Sequence, residues 1–382
     1  MLSDHTSTEV ILFFILYGIT GVIPFIAAVY LLLRRGNAFA PDITPPLSLR
    51  RWAASFFAAA ALGHVWWFLF YIYSRDLQSA SYVVIGMLDC LTLLITIAGT
   101  LFAMLQDRKR PIWPAFAALT PFLALGVLQI LYPEGPFFPI AGVYIISLYV
   151  IFAIYMVYAV RQYGRWLNNN YADLENKKVW LSQVVSLACL LLFIFYALVD
   201  EDTYYLIYIL HIVELVLFGL LLWRVETLPL LDIPSTEEVY TAPDSETTAQ
   251  EPDDAPQAQR PSVLTNIDLA QIEQLLTKLC VETQLYLQHD LTLQQLAQTI
   301  GTNRFYLSQY FSRQGITYNT YINNLRITHF ISRYQELSAA GQTIIAQQLA
   351  KDSGYRSYST FSLAFKQRTG QSVTVWIRET AK

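Results

Sequence analysis

Hydrophobic and polar positions divide the chain into three stretches of unlike character. Between about Glu9 and Val225 the apolar residues run in unbroken blocks. A helix needs roughly 20 apolar residues to cross the hydrocarbon core of a bilayer. Seven blocks meet that length, at about 10–33, 52–73, 81–105, 111–132, 137–160, 179–199 and 203–225. Helices of a water-soluble core interleave polar residues at helical spacing, and these blocks mostly do not. The pattern predicts seven transmembrane helices over residues 1–226. Past that point the blocks give way to a Pro-rich polar stretch at about 227–262, and then to short amphipathic helical patterns over 263–382.

Charge sharpens the picture. Arg34, Arg35, Arg50 and Arg51 lie between blocks one and two, Arg108, Lys109 and Arg110 between three and four, and Arg161, Arg165, Lys177 and Lys178 between five and six. The alternate loops carry Arg75 with Asp76, Glu134, and the cluster Asp200, Glu201 and Asp202. By the positive-inside rule the basic loops are cytoplasmic. Seven spans then put the N-terminus outside and the C-terminal domain in the cytoplasm. A six- or eight-span arrangement breaks the alternation. The first block does not read as a cleavable signal peptide, because Asp4 and Glu9 precede it and Arg34–Arg35 follow it.

The middle stretch holds Pro229, Pro234, Pro243, Pro252, Pro256 and Pro261, with eight acids against the single base Arg260. Such a composition buries too little apolar surface to fold, so 227–262 is expected to be a disordered acidic tether. Cys90, Cys189 and Cys280 form no CxxC pair, which argues against a disulfide framework and a thiolate metal site.

Four ionisable residues fall inside the predicted spans: His64, Asp89, His211 and Glu214. All lie about 8–11 residues from the outer end of their span, or roughly 12–17 Å at 1.5 Å per residue. His211 and Glu214 are three apart and share a helix face. Charged groups at this depth usually face the bundle interior. The sequence leaves open a signal or proton site, interhelical hydrogen bonds that fix packing, and a metal site, for which nothing in the sequence shows convergence. The four are taken as the candidate membrane signal site, with no metal and no cofactor expected. Trp66, Trp67 and Phe68 are expected in interfacial belts, and Pro24 and Pro121 inside spans.

The C-terminal stretch carries an internal repeat. One copy, LTLQQLAQTIG followed by TNRFYLSQYFSRQG, runs from Leu291 to Gly315. The other, TIIAQQLAKDSG followed by YRSYSTFSLAFKQRTG, runs from Thr343 to Gly370. In each an Ala precedes a Gly by four, Ala297 with Gly301 and Ala350 with Gly354. A small Ala lets two helices cross closely, and Gly frees the backbone for a tight turn. Asn303 and Ser357 follow as capping candidates. Leu307, Tyr310 and Phe311 give one following helix its apolar stripe, and Phe361, Ala364 and Phe365 the other. Each copy reads as a helix-turn-helix whose second helix enters the major groove of double-stranded DNA. A connecting helix over about 318–337 spans roughly 30 Å, close to one turn of DNA. Eleven bases against seven acids over 263–382 favour phosphate contact only modestly.

These motifs, with NNLRI at Asn323–Ile327 and SGYRSYSTFSLAFKQRTG near the C-terminus, resemble the AraC/XylS family of bacterial regulators over about 100 residues. The multispan half resembles membrane-bound members of that family from Bacteroidetes-type bacteria. Val373 stands where the family usually has Pro, and the loop near Gln314–Gly315 is shorter. The resemblance implies an inner-membrane regulator that contacts bases through the exposed faces of two recognition helices. The expected contacts are Arg304, Phe305, Ser308, Gln309 and Arg313 in the first, and Arg356, Tyr358, Ser359, Ser362 and Lys366 in the second. Gln309 suits adenine, Arg304 guanine or phosphate, and Phe305 a thymine methyl, with Lys366 on phosphate. Arg326 is expected to be structural. Expected partners are DNA, the lipid bilayer, RNA polymerase, an unknown signal ligand or protein, and a second copy as homodimer. No HExxH, GxSxG, Walker or GxGxxG pattern appears in a fitting context, so no enzyme is expected. A transporter or membrane enzyme carrying a regulatory helix-turn-helix domain is the alternative. The expected fold class is all-α: a seven-helix membrane bundle plus a helical domain with two helix-turn-helix units joined by a long helix.

Overall fold

Apolar blocks of this length have one way to satisfy their backbone in lipid, as helices, and the computed structural model is all-helical. It describes residues 7–73, 80–196, 204–231 and 269–380. Among these residues there is no β-strand, only an isolated antiparallel bridge between Tyr171 and Thr292. The chain divides into two units, Met1–Gly164 with Asn176–Asp232, and Arg165–Glu175 with Ile233–Lys382.

The first unit holds α1 (Ser7–Leu33), α2 (Leu47–Tyr73), α3 (Ala80–Ala103), α4 (Trp113–Leu131), α5 (Phe137–Asn170), α6 (Trp180–Tyr196) and α7 (Tyr204–Thr227). Each predicted span has its helix. Six of them, all but α6, are long and apolar enough to cross a membrane, which marks a membrane protein. The 17 residues of α6 end at Tyr196, and predicted span residues 197–199 lie outside the described residues. So do the loop charges Asp76 and Asp200–Asp202. Helix α2 starts earlier than the apolar pattern, at Leu47, and so takes in Arg50 and Arg51. The Arg50 guanidinium turns back to the Leu31 carbonyl at 2.8 Å near the end of α1, so its charge meets an unsatisfied helix terminus. Helix α5 runs ten residues past its predicted end, through the polar segment RQYGRWLNNN, and its last six residues belong to the second unit.

Packing in the first unit centres on α2. Helix α1 packs along α2 and α7, α2 along α3 and α7, and α6 along α7. Small residues line the contacts: Ala53, Ala54, Ala60, Ala27 and Ala28 are all buried, and small side chains let backbones approach where lipid offers no hydrophobic drive. Apolar side chains such as Phe25, Ile26, Leu33 and Ile151 point outward, the inverse of a soluble protein. Glu226 at the end of α7 is fully buried and forms a 2.7 Å ion pair with Arg34. The chain after α7 stays packed: Leu228 and Leu231 are buried, and Gln106 bonds both Pro229 O and the Leu231 amide. The first five residues of the predicted tether therefore belong to the folded unit. Its remainder, 232–262, and residues 263–268 lie outside the described residues.

The second unit holds α8 (Leu269–Leu276), a π turn (Thr277–Val281), α9 (Leu293–Thr299), α10 (Arg304–Arg313), α11 (Tyr318–Ala339), α12 (Ala346–Asp352), α13 (Tyr358–Thr369) and α14 (Val373–Thr380). It has two cores joined by α11. Tyr318 and Ile322 of α11 enter the first, with Leu296, Ala297, Leu307 and Phe311. Ile327, Phe330 and Tyr334 enter the second, with Ala350, Phe361 and Phe365. At 22 residues α11 is about 33 Å long. Segment 165–175 packs on the first core, where Ala172 is buried, and Asn319 of α11 donates to Tyr171 O and Ala172 O. Val373 opens α14 and is buried. The first helical position needs no amide donor, which is why Pro is also at home there.

Candidate functional site

Each helix-turn-helix head begins with a helix stopped by glycine. After α9 the Thr302 amide bonds Ala297 O with Gly301 at φ +74°, and after α12 the Tyr355 amide bonds Ala350 O with Gly354 at φ +89°. This is the same left-handed stop in both repeats, with the six-to-one bond that satisfies a terminal carbonyl. Ala297 and Ala350 are buried at the crossings, as their small size requires. The next helices start on side-chain caps. Asn303 Oδ1 accepts from the Tyr306 amide, and Ser357 Oγ from the Thr360 amide. Both predicted stripes are buried: Leu307, Tyr310 and Phe311 in α10, and Phe361, Ala364 and Phe365 in α13.

On α10 the outward face carries Phe305, 70% exposed, with exposed Gln309 and Arg313 and half-buried Ser308. Arg304 departs from its expected free state. Its Nε donates to Asn170 Oδ1 at 2.8 Å, and burial holds its guanidinium below the ordinary arginine range. On α13 the exposed residues are Ser359, Leu363, Lys366, Gln367 and Arg368, with Ser362 half-buried. Leu363, 55% exposed, was not among the predicted contacts. The apolar stripe rule assigns a leucine to the core, and only the phase of α13 turns it out. Tyr358, expected to face outward, is half-buried and packs on Phe361 with ring centroids 5.6 Å apart, because the first turn of α13 lies against the second core. Arg356 lies in the turn before α13, 63% exposed, and pairs with Asp290 at 2.7 Å. Exposed pairs of this kind contribute little, so the residue is readily given to another anion. Arg326 is structural: fully buried, it donates to Tyr286 O at 2.7 Å and Gln288 O at 2.8 Å.

The intramembrane cluster takes three of its four predicted members. His64 Nε2 lies 3.8 Å and His211 Nδ1 3.6 Å from Glu214 Oε2, and the three side chains are only 12–14% exposed. Thr20 of α1, which the sequence did not single out, sits between the imidazoles, its Oγ1 3.0 Å from His64 Nε2 and 3.2 Å from His211 Nδ1. Asp89 stands apart from this triangle and accepts from Trp67 Nε1 at 3.1 Å. Trp67 is half-buried, and its indole N–H is taken up by this bond.

Residues 296–379 match the model of a helix-turn-helix domain family. The match takes in both recognition helices and supports a DNA-binding transcription regulator of the AraC type. No curated protein and no solved structure matches the chain.

Proposed function

We propose that this chain is a membrane-anchored, sequence-specific transcription regulator. It sits in a bacterial inner membrane with the N-terminus outside and the helix-turn-helix domain in the cytoplasm, beside DNA and RNA polymerase. The observation that carries the reading is the pair of recognition helices, α10 and α13, each started by a side-chain cap and presented from its own core, joined by α11 of about one DNA turn in length. Phe305, Gln309 and Arg313 of α10 and Ser359, Ser362, Leu363 and Lys366 of α13 contact DNA. Arg356 joins them by leaving Asp290, and Arg304 by leaving Asn170. A signal binds two states of the membrane unit unequally, as linkage demands, and the chain passes that bias to the DNA-reading unit. The test is crosslinking of the tagged full-length protein in cells, with membranes fractionated in parallel. The protein is expected to remain in the membrane fraction and to enrich a few discrete promoter sites. Uniform DNA recovery would overturn sequence reading, and a soluble full-length chain would overturn the anchor.

A further inference from the structure

We propose that His64, His211 and Glu214 form a binding site for one divalent transition-metal ion of the zinc type, held between α1, α2 and α7. Their nearest donor atoms lie within 4.8 Å of one another. The 3.6 and 3.8 Å separations from Glu214 to the two imidazoles are too long for hydrogen bonds. They are close to what common ligation needs. Metal bonds of about 2.0–2.1 Å in a tetrahedral set place two donors roughly 3.3–3.5 Å apart. Closing the two carboxylate–imidazole gaps takes a few tenths of an ångström, and bringing the two imidazole donors, within 4.8 Å of one another, onto one ion is left to their side-chain torsions.

The surroundings orient His64. His64 Nδ1 lies 2.9 Å from Ala60 O, one turn back along α2. That bond consumes the ring proton on Nδ1 and leaves a lone pair on Nε2, aimed at Glu214 and Thr20. An imidazole pinned to a carbonyl by its far nitrogen is the usual outer support of a metal-binding histidine. Thr20 Oγ1 faces both imidazoles and also lies 3.0 Å from Leu16 O, to which it can donate. Its lone pairs then fill the fourth position, directly or through a water. Two imidazoles and a carboxylate suit zinc and its neighbours in the first transition row, and disfavour magnesium and calcium, which want oxygen alone. Asp89 of α3 lies against the same turn of α2. Asp89 Oδ1 lies so close to Gly63, the neighbour of His64, that a Cβ there would meet it at 2.4 Å.

Bound metal adds one tie among three helices already joined by small apolar residues and a few polar contacts, and its loss removes that tie. The binding stands on geometry alone, whereas its effect on transcription rests on the regulator reading above. The experiment uses full-length protein in detergent micelles, stripped by chelator and titrated with zinc chloride, with bound metal counted per chain after desalting. One zinc per chain is expected, with a rise in melting temperature. His64→Gln and Glu214→Gln keep size and hydrogen bonding, and are expected to match the stripped wild type in elution and melting while binding zinc at least tenfold more weakly. Thr20→Ala keeps three ligands and is expected to bind cobalt with an altered visible spectrum. Wild type that holds no more zinc than a His64→Gln, His211→Gln double variant overturns the site, as does an unchanged melting temperature. DNA affinity of the same samples, with and without zinc, is scored separately. Zinc bound with no DNA recognition in either state points to failure of the regulator reading alone.

Discussion

Arg326 lays its guanidinium over the ring of Tyr355, 5.5 Å from the centroid. The same group holds Tyr286 O and Gln288 O, so one buried cation joins the entry to the first head with the turn of the second. Burial lowers the Arg326 pKa and raises that of Tyr355, and each partner offsets part of the other's shift. The arrangement leaves no room at Gly354, where a Cβ would meet Arg326 Nε and Leu287 O at 2.9 Å each. At Gly301 nothing lies within 4 Å. Both glycines have positive φ, which costs a side chain about 1–2 kcal/mol. Gly301→Ala is expected to lose about that much stability, and Gly354→Ala a further ~1–3 kcal/mol from crowding. Denaturant melts of the two variants check this, and equal losses would contradict the crowding.

The proposed base and phosphate contacts separate by their salt and sequence dependence. Gln309→Ala removes a base-edge partner and is expected to cost about 1–3 kcal/mol at one base position, leaving other positions unchanged. Lys366→Ala is expected to weaken all sequences alike and to reduce the slope of log affinity against log salt by about one. Binding titrations at several salt concentrations distinguish the two.

The proposed contact of Arg304 with DNA requires it to leave Asn170. Asn170→Ala removes that competitor and is expected to tighten DNA binding several-fold, up to the ~1.5–3 kcal/mol of a charge-assisted hydrogen bond. Arg304→Ala abolishes the gain. Unchanged affinity in Asn170→Ala would mean that Arg304 takes no part in binding.

His329 of α11 titrates below its ordinary value, chiefly because of burial, with the Arg333 charge adding to it. A lowered folded pKa means that the unfolded chain binds more protons below about pH 6.5. The stability it contributes is therefore present above the unfolded value and lost as pH falls through the folded one. His329→Gln is expected to flatten the acid side of the stability profile below about pH 6.5. Melts across that range check it.

Much of this was legible in the sequence, and the limits have physical causes. Apolar block length located all seven helices of the membrane part, because lipid leaves backbone polar groups no other partner. Blocks do not mark where polar helix continues, so the ten extra residues of α5 and the early start of α2 went unread. Both repeats and their caps at Asn303 and Ser357 followed from local chemistry, and the structural role of Arg326 was expected beside the family resemblance. Tyr358, Leu363 and Arg304 did not, since each depends on what a neighbouring core or segment 165–175 does to it. His64, Glu214 and His211 could be placed at one depth but not brought together, because the sequence carries no helix order, and Thr20 on α1 completes the group only once α1, α2 and α7 meet.

The most direct test of the central claim is selection from a random DNA pool by the full-length protein in nanodiscs at stated salt, beside a Gln309→Ala, Ser362→Ala variant. The account predicts an enriched motif with two half-sites about one helical turn apart, blurred in the variant. Retention of DNA without any enriched sequence, even at low salt, would contradict it.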